Sequence, residues 1–482
     1  MEPPRICLIV DNPLRDLDGM VLLGWTLAQK GAEVFLVPMY QQASEVAALM
    51  PDLVLVNYLR TNNQELVEAY SESGILVGVL DTEGGVFRNL ERGLTNLVAR
   101  ANPSHVDVYC LWGRRQYDSF IERNIAPKEK LRVTGCPRYD FCADPWKSAL
   151  PRVEIDGGPM ILVNTRFPIL FPRFQRGMEN EMNTMRNLGF EDSYIHELVR
   201  QYYLVWAEMI NNVAGLAKSF SEAAFVIRPH PFEDRTIYEQ VLKDLANIRI
   251  IQEKTVLPWI HSSLLLIQKG CSTALEASFL GVEPVSLDWM DAPLLHNDVI
   301  AAVSHSIQSP KKLTEIVEKT LNGSPLSPTS EIRRRREQIV SDWFYAIDGG
   351  SSDRVANALL EAIDKGRSRR AKRKPVKLLM HNGFTTAGLR SSLSFLGTRI
   401  LGFNQYDRFR SHLLGRPRTI SKVFGQKEVQ TITDQLSKVA GNSKGVNVEK
   451  VKNRHCYLKT IAHCSIRLSF IYSSRNRYVG PS

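Results

Sequence analysis

Three short stretches of this 482-residue chain gather polar side chains where an apolar run ends. Asp81-Thr82-Glu83-Gly84-Gly85 follows ILVGVL and sets two carboxylates two positions apart beside a pair of glycines. A carboxylate there can take the proton from a hydroxyl that is forming a new bond, and the glycines allow a tight turn and close approach of a ligand. The plainer alternative has Asp81 capping the next turn and Glu83 facing water. Arg228-Pro229-His230-Pro231 is more informative, because prolines on both sides restrain the imidazole and a guanidinium stands two positions before it. Charge-assisted hydrogen bonds from such a pair suit a departing phosphate as negative charge builds on it. The alternative is a structural histidine satisfied by a backbone carbonyl at a strand end. Lys269-Gly270-Cys271-Ser272-Thr273 reads as a strand end, a glycine turn and a helix start. Its first-turn N–H groups and two hydroxyls offer a phosphate or carboxylate pocket, even where Ser272 or Thr273 also serves as an ordinary N-cap. Glu276 then either closes a capping box or binds a ribose hydroxyl.

These stretches need elements to hold them, and the apolar runs supply strands. ICLIV at 6–10, VFLVPM from 34, PDLVLVNY at 51–58, ILVGVLD at 75–81, VDVYCLWG at 106–113 and KLRVTG from 130 form a first series. Amphipathic stretches such as 18–30 and 64–74 separate them, with Gly31 and Gly74 as helix stops. A second series opens at MILVNTRF, 160–167, and continues through AAFVIRPHP, IRIIQ, SSLLLIQKG and GVEPVSLDW. A long helix is expected near 191–220, and two more near 329–346 and 352–365. Strands apolar on both faces, alternating with helices, argue for parallel sheets covered on both sides. The expected fold class is therefore α/β: two Rossmann-like doubly wound domains facing a cleft, plus a basic C-terminal extension. The boundaries read as 1–150, 158–350 and 366–482. In such sheets ligands collect outside the carboxyl ends of the strands. That rule adds Asn12, Asn57, Arg60, Trp112-Gly113 and Thr134-Gly135-Cys136-Pro137-Arg138 on the first side, and Asn164-Thr165-Arg166 on the second.

Composition narrows the classes. The net charge of +10 hides two parts: residues 361–482 hold 25 Lys/Arg against 6 Asp/Glu, and the first 360 hold 36 against 45. The acidic body gives no reason to invoke nucleic acid. The basic tail suits anionic lipid, nucleic acid or simple solubility. No apolar run is long enough to span a bilayer, the N-terminus does not read as a secretory signal, and seven scattered cysteines suggest reduced thiols in a cytosol. The histidines stand alone and no Cys-x-x-Cys occurs, so no metal site is read and no cofactor is called for. The absence of a GxSxG elbow, a Walker loop and a GxGxxG fingerprint weighs against hydrolase, ATPase and dinucleotide enzyme.

In this order, over about residues 5–350, the motifs DTEGG, Trp112-Gly113, TGCPRYD at 134–140, RPHP and KGCSTALEA at 269–277 resemble a bacterial family of surface carbohydrate biosynthesis proteins. Its wider relatives are two-domain, metal-independent transferases of CMP-activated acidic sugars: the bacterial sialyltransferases and the β-Kdo transferases of capsule and O-antigen assembly. The resemblance implies a GT-B-like glycosyltransferase. Glu83 before Gly84 would be the base, with Asp81 its rival because Thr82 stands where a second acid is typical. His230-Pro231 and Ser272-Thr273 would contact the donor phosphate, together with Arg228, Lys269 and Gly270. Asn12, Arg60, Gly84, Gly85, Arg138, Asn164 and Arg166 would touch donor or acceptor, the arginines meeting a sugar carboxylate. The same domain pair serves polyol-phosphate transferases and a UDP-sugar 2-epimerase, so those reactions stay open, as does a non-catalytic subunit of a glycan-assembly complex. The implied partners are a nucleotide sugar, CMP-linked by preference, and a glycan or lipid-linked glycan acceptor. An anionic membrane surface would meet the tail, placing the protein in the cytoplasm at the inner face of the membrane. Phe395, Leu396, Ile400, Leu401 and Phe403 would supply an apolar patch there, unless the tail is an extra helical subdomain whose charges face water.

Overall fold

Runs that hide both faces become neighbouring strands in two separate parallel sheets. The computed structural model describes residues 2–82, 101–173, 177–187, 189–366, 423–441, 446–451 and 466–470, with 368, 374 and 376. Glu83, Gly84, Gly85 and the apolar patch at 395–403 lie outside the described residues. The chain divides into two compact units, Met1–Ala149 with Ser341–Asp407 and Thr419–Ser482, and Leu150–Val340 with Arg408–Arg418.

In the first unit, β1 (Arg5–Val10), β2 (Glu33–Pro38), β3 (Leu53–Val56), β4 (Leu76–Leu80), β5 (Val108–Leu111) and β6 (Leu131–Val133) lie in the order β2-β1-β3-β4-β5-β6, all parallel. Every residue of β3, β4 and β5 is buried, which is what a sheet covered on both faces requires. The helix Pro13–Gln29 covers one face. It starts at Asn12, whose side chain accepts from the Leu14 N–H at 3.1 Å, with Pro13 in the first turn where no N–H is needed. Gly19 lets this helix lie on the backbone of Arg138, since a Cβ there would stand 2.7 Å from the Arg138 nitrogen.

In the second unit, β7 (Met160–Asn164), β8 (Ala224–Arg228), β9 (Ile248–Ile250), β10 (Leu265–Gln268), β11 (Glu283–Leu287) and β12 (His305–Ile307) form a parallel sheet in the order β12-β11-β10-β7-β8-β9. The long helix Asp192–Ser219 buries Val205, Met209, Val213 and Leu216 along one stripe against Ile161, Val163, Phe225 and Ile227. The spacing of four, four and three residues keeps that stripe on one side of a 3.6-residue helix. Both units are Rossmann-like doubly wound α/β structures.

The basic tail contributes to the first sheet. β13 (Val446–Lys450) and β14 (Ile466–Phe470) pair antiparallel, and β14 pairs antiparallel with β2. The described sheet therefore runs β13-β14-β2-β1-β3-β4-β5-β6. The helix Gln426–Val439 packs beside it, and its Ser437 hydroxyl accepts from the Trp25 indole at 3.2 Å. The helix expected over 329–346 ends at Ile339 and continues as one wider turn, Val340–Phe344.

Candidate functional site

The order of strands reverses between β7 and β10 in the second sheet, and adjacent loops diverge where it does so. That is where an open α/β sheet leaves a crevice. Asn164 ends β7, and its side-chain Nδ2 donates to the Thr273 hydroxyl at 2.8 Å, joining the two sides of the reversal. Asn164 is 3% exposed, and its Oδ1 is buried without a hydrogen-bond partner. An orphaned buried acceptor costs free energy unless a ligand or water meets it. Thr273 opens the helix Thr273–Leu280; Ser272, exposed ahead of it, makes no side-chain cap bond, so the capping box read from the sequence does not form. Gly270 takes φ +64°, and its carbonyl accepts from Arg166; a Cβ there would stand 2.4 Å from the Leu295 carbonyl oxygen. Glu276 is buried in the first turn of the same helix.

His230 follows β8, the neighbour of β7 on its other side. The Phe232 N–H donates to its Nδ1 at 3.2 Å, so a neutral ring carries its proton on Nε2. Glu233, three residues on, is wholly buried. It accepts from the N–H groups of Phe167 at 2.5 Å and His230 at 3.2 Å, and from the hydroxyls of Thr165 at 2.7 Å and Tyr238 at 2.5 Å. Burial pushes its carboxyl up to about 7, against the pull of those four donors. Glu233 belongs to none of the sequence motifs. An acid three residues after a strand-end histidine was the available signal.

Two cations assigned to phosphate are engaged elsewhere. Arg228 turns its guanidinium onto the carbonyls of Glu253 and Lys254, at 2.9–3.0 Å, and over the Trp259 ring at 5.2 Å, so it does not flank His230 as the spacing suggested. Burial lowers it to about 10. Residues two apart share a face only while the chain remains a strand, and β8 ends at Arg228, which sequence spacing alone does not reveal. Lys269 is 6% exposed and meets Asp288 at 2.8 Å, where Ser286 and Ser306 also donate. Asp288 is held below the usual carboxylate range by these bonds, though burial opposes them. Arg166, half-buried, donates to Gly270 and lies 3.4 Å from the Tyr202 hydroxyl. Pro231 exposes part of its ring beside His230.

The first sheet reverses between β1 and β3. Around that point, Arg15 bonds Asp16 at 2.8 and 3.0 Å, Asp11 at 3.1 Å and the Thr82 hydroxyl at 3.3 Å. Burial works against the Arg15 charge, but Asp16 and Asp11 together hold its proton above the usual range. Arg60 meets Asp81 at 2.5 Å, both nearly buried. Asn57 at the end of β3 is 2% exposed, with its Oδ1 unpartnered. Asn12 caps the first helix, as above. Arg138 bonds the Tyr139 hydroxyl and lies 4.6 Å from that ring. Asp140, from the same TGCPRYD motif, accepts from the N–H groups of Ser351 at 2.9 Å and Ser352 at 2.7 Å, capping the helix Ser351–Lys365. Arg354 of that helix returns a bond to the Thr134 carbonyl at 2.8 Å. Gly113 admits the backbone of Asp342 and Trp343, which a Cβ would meet at 2.4–2.6 Å. Both motifs thus do packing work. Among the described residues no three His, Cys, Asp or Glu side chains gather closely enough to share an ion, and no described helix is long and apolar enough to cross a membrane.

No family model matches the chain, and no curated protein does. Solved structures resemble it at low identity. A putative UDP-N-acetylglucosamine 2-epimerase from Listeria monocytogenes is 14% identical, with a TM-score of 0.47, over 76% of this chain and 98% of that one. The UDP-GlcNAc 2-epimerase from Neisseria meningitidis bound to UDP-GlcNAc is 15% identical, with a TM-score of 0.43, over 74% and 100%. A variant of the wall teichoic acid polymerase TagF is 11% identical, with a TM-score of 0.44, over 76% and 90%.

Proposed function

We propose that the protein is a nucleotide-sugar glycosyltransferase whose second unit binds the donor's nucleotide phosphate. The observation that carries this reading is the hydrogen bond from Asn164 to Thr273 across the strand reversal, with an orphaned amide oxygen beside an uncapped helix start. The hydroxyls of Ser272 and Thr273 and the Nε2 of His230 are the donors assigned to the phosphate, while the Ala274 and Leu275 N–H groups turn back onto the carbonyls of Cys271 and Ser272 at 3.1 and 3.0 Å. The assigned donors take its charge without a metal. The orphaned Asn164 oxygen suits a ligand hydroxyl rather than a phosphate oxygen, because only the former brings a proton. In the transfer, the bond from the anomeric carbon to the phosphate oxygen breaks and the nucleotide leaves with those electrons. The acceptor hydroxyl forms the new bond, and its proton goes to a carboxylate. The motif resemblance assigns that carboxylate to Glu83 or to Asp81, and Asp81 meets Arg60 at 2.5 Å. A CMP-linked acidic sugar is the preferred donor because of the motif resemblance. The acceptor is a surface glycan or its lipid-linked precursor.

The basic tail is assigned to the cytoplasmic face of an anionic membrane, where each Lys or Arg close to the surface contributes about 1 kcal/mol. Co-sedimentation with anionic but not neutral vesicles, lost at high salt, is expected. The donor is tested by thermal stabilisation of the whole protein with CMP, CDP, UDP and GDP. CMP is expected to stabilise it. Stabilisation by UDP alone overturns the acidic-sugar donor and favours a UDP-sugar transferase or epimerase. No stabilisation by any of the four overturns the nucleotide-sugar reading.

A further inference from the structure

Glu233 stands outside every motif singled out in the sequence and outside the phosphate donors named above, yet it controls the segment that carries His230. Its Oε1 accepts from the Phe167 N–H beyond β7 and from the His230 N–H beyond β8. Its Oε2 accepts from the hydroxyls of Thr165, beyond β7, and Tyr238, in the helix Thr236–Val241. Gln252, after β9, donates through Nε2 to the carbonyls of His230 at 2.7 Å and Glu233 at 2.8 Å. The backbone of the histidine is therefore fixed through both its N–H and its carbonyl. The Phe232 N–H fixes the ring through Nδ1.

A carboxylate in this setting is an expensive way to build a core. An apolar side chain would avoid its desolvation, but it would leave two buried amide N–H groups without an acceptor. Three of the four donors, from Thr165, Phe167 and His230, come from just beyond the ends of β7 and β8, where the site residues gather, and the fourth comes from Tyr238 in the helix Thr236–Val241. We propose that Glu233 is a positioning residue: its carboxyl group ties the loop after β8 to the loop after β7, so that the His230 ring holds one orientation and keeps its proton on Nε2. The catalytic consequence rests on the reading of His230 as a phosphate donor; the geometric clamp does not.

Two substitutions separate position from charge. In Glu233→Gln the amide oxygen can keep both backbone donors, while its NH2 donates to the Thr165 and Tyr238 hydroxyls, which rotate to accept. In Glu233→Met the volume is kept and every acceptor is lost. Thr165→Val with Tyr238→Phe strips Oε2 of its donors and replaces Glu233→Met if that variant does not fold. The first readout is the 15N spectrum of the His230 imidazole, assigned by its disappearance in His230→Gln. Wild type and Glu233→Gln are expected to show the Nε2–H tautomer, and Glu233→Met or the double variant a mixture. The second readout is nucleotide release from the sugar nucleotide that the wild type consumes. Glu233→Met is expected to lower kcat about tenfold or more with KM within about threefold, and Glu233→Gln to recover it to within about threefold. Wild-type ring shifts in Glu233→Met, or a Glu233→Gln spectrum as altered as that of Glu233→Met, overturn the proposal. If wild type consumes no sugar nucleotide, the functional reading fails, and the ring spectra still decide on the clamp.

Discussion

Both sheets present a buried, unpartnered amide oxygen where their strand order reverses, Asn57 in the first unit and Asn164 in the second, and they surround it with opposite chemistry. In the first unit the neighbours are ions that answer one another: Arg15 with Asp11 and Asp16, Arg60 with Asp81. In the second they are hydroxyls and N–H groups, with the nearby charges of Lys269 and Arg228 drawn away onto Asp288 and backbone carbonyls. Where the charges are already paired, a polar residue mainly sustains the fold. Where they have been withdrawn, the side-chain hydroxyls of Ser272 and Thr273 stand at the end proposed to take a phosphate. The same topology thus yields a self-contained end and a receptive one.

The sharpest way to break this contrast is Arg15→Met. It removes the guanidinium that the buried Asp11 and Asp16 share and is expected to destabilise the first unit by about 3–5 kcal/mol, toward the lower figure because Arg15 is 29% exposed. Hydrogen exchange in β1, β3 and β4 reads this. A loss below about 1 kcal/mol would mean that the ions are not holding that end together. In the second unit the comparable group is Glu233. Its folded value, about 7, lies above that of an unfolded glutamate, so the native state binds the extra proton between roughly pH 4.3 and 7. Stability should therefore fall as pH rises through that window, by on the order of 3–4 kcal/mol, with Glu233→Gln flattening the slope. A rise over the same window in urea midpoints would refute the assignment.

Smaller effects sharpen the comparison. Thr273→Val removes one hydroxyl from the receptive end and should weaken nucleotide binding about tenfold, or about 1.4 kcal/mol, by calorimetry. Asn164→Leu and Asn57→Leu each remove an orphaned acceptor and should change stability by less than about 1 kcal/mol. Only Asn164→Leu should reduce nucleotide stabilisation; equal losses from both would erase the distinction between the two ends.

Much of the scaffold was legible because parallel strands buried on both faces leave unbroken apolar runs. Eleven of the fourteen described strands, from Arg5–Val10 to Glu283–Leu287, lie in stretches that read as strands, most of them such runs. The three that escaped, His305–Ile307, Val446–Lys450 and Ile466–Phe470, are edge or near-edge strands, two of them alternating or polar and set in a basic segment. Covered on fewer sides, they lack the run that gives a central strand away. In the site, strand ends located Asn164, His230 and Thr273, because position along a sheet follows from sequence. Side-chain direction does not. RPHP suggested that Arg228 and His230 act as a pair, and their partners lie in different loops. TGCPRYD looked like a ligand loop, but Asp140 holds a helix more than 200 residues away, a contact no local pattern encodes. Glu233 was hidden for the same reason, since its four donors come from three separate segments.

The late strand Ile466–Phe470 has a temporal side. Arg467 reaches Glu33 across 434 residues of chain, and Leu468 fills the space beside Gly24. At about 5–20 residues per second, a ribosome needs on the order of half a minute to a minute and a half to supply that partner after β2 has emerged. Throughout that interval the open margin of β2 offers unmatched N–H and C=O groups to any passing extended chain. Of the described strands, the one that closes that margin is the last to be made.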